Sequence, residues 1–80
     1  MALYFLHLRD GTDEILDPEG REFANMEAVR RAVLEGARDV LGNEIKSGGV
    51  MDLRYRIDAE DESGTVVYSL PFRHAVNIIP

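Results

Sequence analysis

Residues 51 to 70 carry two alternating segments hinged on Asp61-Glu62-Ser63-Gly64. In the first, Leu53, Tyr55, Ile57 and Ala59 fall on one side and Asp52, Arg54, Arg56, Asp58 and Glu60 on the other, the period of a half-exposed strand. The second, TVVYSL, sets Val66, Tyr68 and Leu70 against Thr65, Val67 and Ser69. Pro71 ends its ladder because proline has no N–H to donate. Aspartate at the first position of a type I turn, with glycine where a positive φ is easiest, makes the four intervening residues a hairpin connection.

The rest of the chain has to cover that hairpin. Residues 3 to 8, LYFLHL, read as a strand closed by the turn signal Arg9-Asp10-Gly11. Leu3, Phe5 and His7 alternate with Tyr4, Leu6 and Leu8, so neither face is plainly polar and both ask for cover. Farther on, Met26, Val29, Val33, Ala37, Val40 or Leu41, and Ile45 recur at helical steps. Asn25 is placed to cap that helix, Glu27 suits its first turn, and Gly48-Gly49 is the expected stop. Glu27, Arg31 and Glu35 stand at i,i+4 spacing on its solvated side. Pro71 opens a short helical turn in PFRHAV.

The expected architecture is α+β, one domain over residues 1–80. Its order is β-α-β-β, with a three-stranded antiparallel sheet and one helix packed on one face. The third strand, residues 65 to 70, is expected in the middle because its alternation is the least polar. The uncovered face would then carry Arg54 and Arg56 beside residues of the first strand. Such a mixed surface implies an interface, in a homodimer or under the C-terminal NIIP. Eighty residues hold only a small core, and with no cysteine the chain has no disulfide, thiolate zinc site or thiol nucleophile to supplement it. A start without a basic, cleavable leader and no apolar run of membrane-spanning length point to the cytoplasm.

Residues 9 to 23, RDGTDEILDPEGREF, hold six acidic side chains and raise the question of a metal ion. Asp10, Asp13, Glu14, Asp17 and Glu19 offer the oxygens a hard cation needs, but the spacing is not that of a calcium loop and no helix precedes it. The loop is therefore expected to be a connection of two turns, anchored on the core by Ile15 and Phe23. Gly11 and Gly20 lie too far apart for a phosphate nest, and no lysine follows. His7 and His74 are the only imidazoles, too few for a zinc site without carboxylates brought to them by the fold. His7, in an apolar strand, reads as a half-buried histidine rather than a base. Ser63 and Ser69 lack a marked base or oxyanion context.

Several stretches together resemble one family. YFLHLRDG at 4 to 11, DPEG at 17 to 20, MEAVRRAV at 26 to 33, DESG at 61 to 64 and LPFRHAV at 70 to 76 follow the order of motifs in the small bacterial proteins of domain-of-unknown-function family 6894. The resemblance implies a cytoplasmic bacterial domain and carries no catalytic set, cofactor or metal to transfer. The expectation is a non-catalytic interaction or regulatory module that self-associates and meets a protein partner on its sheet face, with Phe5, His7, Arg54, Arg56 and Arg73 as the candidate surface. The alternatives are nucleic-acid binding through Arg54 and Arg56, which a formal charge of −6 opposes, and a metal-dependent small-molecule site in the loop 10–19.

Overall fold

The computed structural model describes residues 1–77 and 79. The elements are β1 (Ala2–Arg9), β2 (Glu14–Ile15), β3 (Arg21–Phe23), α1 (Met26–Gly48), β4 (Arg56–Glu60) and β5 (Val66–Pro71), followed by a 3-10 turn at Phe72–His74. The strands form one five-stranded antiparallel sheet in the order β2-β1-β4-β5, and β3 also pairs with β1. β2 and β3 are thus two pieces of one broken edge, joined by an excursion over residues 16 to 20.

The helix forms where the periodicity places it. Asn25 is extended at φ −163° and its side-chain oxygen accepts from the Ala28 N–H at 2.9 Å, satisfying one of the free donors of the first turn. At the other end Gly49 takes the left-handed conformation at φ 69°, and its N–H returns to the Ile45 carbonyl. Val29, Val33, Ala37 and Leu41 form the buried stripe, each one turn from the last. They meet Ile57, Ala59, Leu70 and Phe72 from the sheet side and Phe23 from the broken edge. The 3-10 turn is fastened by Phe72 N–H to Tyr55 O and by the Arg38 guanidinium, which donates to Ala75 O.

Four expectations need correction. The sheet has five strands, since runs of two and three residues at Glu14–Ile15 and Arg21–Phe23 are too short to show a period. The third strand of the sequence reading, now β5, lies at an edge, and β4 takes the centre. Ranking by polarity misplaced it because the charges of β4 are not solvated: Asp58 is only 4% exposed. Residues 51 to 55 do not extend β4; Asp52 turns the chain by accepting from the Arg54 N–H, and its own N–H donates to Glu44. Ile15 does not anchor the loop, being 65% exposed, whereas Phe23 is buried.

The helix covers the face of the sheet that carries Leu6, Leu8, Ile57 and Ala59. No helix or strand packs on the opposite face among the described residues; the 16–20 excursion touches its rim, where the Asp17 N–H donates to His7 and Gly20 lies against the Phe5 ring. Cover from the NIIP segment falls partly on Ile78 and Pro80, outside the described residues; Asn77 and Ile79 are exposed.

Candidate interaction face

Register assembles the uncovered face. Phe5 pairs with Glu60, His7 with Asp58 and Arg9 with Arg56 across β1 and β4, and Asp58 pairs with Ser69 across β4 and β5. Partners opposite one another in a ladder share a face, so these side chains form one surface.

Asp58 is its centre. One carboxylate oxygen accepts from Ser69 Oγ at 2.6 Å, the other from Arg9 Nη1 at 3.0 Å, and Arg56 Nε lies 3.1 Å from both. Burial raises the acid's pKa, but the bonds from Ser69, Arg9 and Arg56 outweigh it and hold the group below the usual carboxylate range. Arg9 also reaches Glu60 at 2.7 Å and Glu14 at 2.8 Å, and these carboxylates, Glu14 foremost, keep its guanidinium more firmly charged than an ordinary arginine. Among the described residues, no buried side-chain polar atom lacks a partner.

His7 belongs to the same surface and is 8% exposed. Its Nδ1 accepts from the Asp17 N–H at 3.0 Å, which leaves the proton on Nε2, 3.5 Å from Glu60. The Phe5 ring lies nearly parallel to the imidazole, centroids 6.3 Å apart.

The acidic loop resolves into turn chemistry. Asp10 accepts from the Thr12 and Asp13 N–H groups, which lower its pKa. Asp17 fills the break in the edge: one oxygen takes the Leu6 N–H that β2 and β3 leave unpaired, and the other takes the N–H groups of Glu19 and Gly20. Burial pushes its carboxyl up, and these backbone donors together bring it below its ordinary value. Among the described residues, no group of three or more His, Cys, Asp or Glu side chains is arranged to hold a metal ion. No helix there is long and apolar enough to cross a membrane.

Of the five residues expected on the surface, three come together: Phe5, His7 and Arg56. Arg54 lies in the turn before β4, with two nitrogens bonded to Asp52, whose carboxyl that pairing pulls down to about 2. Arg73 sits exposed on the 3-10 turn beyond β5. Arg9, Asp58, Glu60 and Ser69 were missed as site residues. Period-two spacing placed Asp58 and Glu60 with Arg56, but Arg9 read as the end of its strand, and only the cross-strand register joins it to them.

Across the face, His7, Asp58 and Ser69 stand in a row, the residue types of a nucleophilic triad in an order that does not activate the hydroxyl. The Ser69 hydroxyl donates its hydrogen bond to Asp58, and His7 bonds elsewhere.

The chain is thus a small α+β domain, a helix-backed antiparallel sheet whose open face is a closed ion network. It matches the family described as a domain of unknown function (DUF6894) over residues 3–73, and belongs to that family. Comparison with curated proteins gives no match, and comparison with solved structures gives none either.

Proposed function

We propose that this chain is a non-catalytic interaction module of the bacterial cytoplasm that self-associates and meets a protein partner across the open face of its sheet. One observation carries the reading: a face with no helix or strand packed over it holds its charges in a fixed lattice around Asp58, which is 4% exposed. Side chains already ordered by one another lose little further entropy when a partner arrives, and fixed alternating charges select the partner by complementarity. Arg56 is the arginine of the lattice best placed to reach outward, with its side chain 39% exposed against 19% for Arg9.

Nucleic-acid binding is the weaker reading because Arg54 and Arg56 do not form a free basic stripe; each is engaged by an aspartate two residues away. The absence of cysteine suits a reducing compartment.

Affinity capture from the source lysate, run with wild type and with Arg56→Glu, tests the partner surface. A protein recovered by wild type and lost with the charge reversal is the expected result. Equal recovery by both would remove the open face from the reading.

A further inference from the structure

The two free edges of the sheet are unlike one another, and complementary. At the β5 edge a groove of about 430 Å³ runs between the strand and the first half of α1, floored by Leu34, Tyr68 and Leu70 and rimmed by Arg30, Arg31 and His74. Glu27 is also at the rim, 3.6 Å from Arg31. This is a cationic, partly apolar slot on a chain of formal charge −6. At the β2 edge the opposite combination is displayed: Ile15 and Leu16 are 65% and 53% exposed, set between Asp13, Glu14 and Asp17.

We infer that the β5 edge and its groove receive the β2 edge of a second copy, so that copies join head to tail into one continuous sheet. The inference rests on the self-association part of the proposed function and places it on the edges, leaving the open face free.

Strand direction permits it without turning either copy over. β2 and β4 run against β1, and β5 runs against β4, so β5 and β2 point in opposite directions. Two copies side by side in one orientation, helices on the same side, therefore bring β5 against β2 as an antiparallel pair. Backbone phase agrees. Phe72 N–H bonds to Tyr55 O, so alternation turns Leu70 and Tyr68 toward β4 and Ser69 outward. Leu6 N–H points toward the other edge, so Leu8 bonds to Ile15 and Glu14 faces outward. Setting outward Ser69 against outward Glu14, or against Leu16, puts Ile15 of the next copy beside Tyr68 or Leu70. Ile15 lies on the helix side of its sheet, as its pairing with Leu8 requires, so in either register it enters the groove. Glu14 stays with Arg9 on the open face and Asp17 stays within its own edge, so the charge match is between the acidic edge as a whole and the Arg30–Arg31 rim, with no carboxylate paired to either arginine.

Such an interface is heterologous: each copy offers one donor edge and one acceptor edge, so the assembly grows as a chain or closes as a ring. Two surface variants test this. Ile15→Asp spoils the donor edge and leaves the groove intact; Arg30→Glu with Arg31→Glu spoils the groove and leaves the donor edge intact. All three positions are exposed, and a thermal melt checks that each variant folds. In sedimentation velocity, wild type is expected to gain mass with concentration and each variant alone to stay at the 9.0 kDa of a single chain. Mixed in equal amounts, the two variants should form a species of twice that mass and nothing larger, one intact edge filling one intact groove. The inference is overturned by a mixture that stays monomeric, or by variants that associate as wild type does. Association lost only in Arg56→Glu overturns it too, while keeping self-association on the open face. A wild type monomeric at every concentration removes both the inference and the self-association it rests on.

Discussion

Gly20 shows how closely the broken edge is fitted. Its φ of +72° is one L side chains rarely adopt, and a Cβ there would stand 2.8 Å from the Phe5 ring and 3.0 Å from the Tyr4 carbonyl oxygen. The ring can shift, but the carbonyl belongs to the β1 ladder. Gly11 has a positive φ as well, with open space around it. Gly20→Ala should therefore cost more than Gly11→Ala, about 1–3 kcal/mol for the strained backbone plus the displacement of Phe5. Equal midpoints for the two variants in urea unfolding would show that the contact with β1 does not matter. Asp17, three residues earlier, makes a second prediction. Asp17→Ala leaves the Leu6, Glu19 and Gly20 N–H groups without their acceptor, whereas Asp17→Asn keeps one oxygen. The alanine variant should lose about 1–3 kcal/mol, with the asparagine variant between it and wild type. If asparagine is no better than alanine, the lost bonds are not the cause.

At the scale of the element, the helix was legible and the sheet only partly so, for a physical reason. A helix of 23 residues repeats its pattern for six turns and carries its own boundary chemistry in Asn25 and Gly49. Replacing Asn25 by alanine should destabilise the protein by about 1 kcal/mol, and glycine there by only a few tenths, read from denaturant midpoints. An alanine variant as stable as wild type would mean that Asn25 does not hold the first turn. The hairpin was legible for a related reason: Asp61 takes the N–H groups of Ser63 and Thr65, and Gly64 turns at φ +85°. Short edge strands advertise nothing of the kind. β2 and β3 exist because β1 needs pairing, and the alternation does not show that Asp17, in a loop expected to be two turns, stands in for a missing strand residue by taking the Leu6 N–H. The site was half legible. Alternation put Asp58 and Glu60 with Arg56, but that they are drawn out of solvent depends on Arg9 and Ser69, 49 and 11 residues distant from Asp58.

For the whole molecule, the two faces of the sheet divide the work of holding it together. The helix side is an apolar core, and the open side is joined by ionic bonds from β2 through β1 to β4 and by the Ser69 hydroxyl's hydrogen bond to Asp58 from β4 to β5. The core does not depend on pH; the lattice does. Asp58 and Asp17 both have folded pKa values below the ordinary 3.8, so each binds its proton less readily in the native state than in the unfolded chain. Their contribution is fully present above the unfolded value and is lost as pH falls through the lower folded values. The melting temperature should consequently hold level from neutrality down to about pH 5 and fall below about pH 4. Asp58→Asn removes one such group and leaves Asp17 together with Asp10, Asp52 and Asp61, which are also held below the ordinary value. Its stability is therefore expected to start lower at neutrality and decline less steeply in acid, the two curves converging as Asp58 of the wild type becomes protonated. Parallel curves would exclude Asp58 from the acid transition and leave the outer face of the sheet as a surface ordered for binding, with no measurable part in holding the strands together.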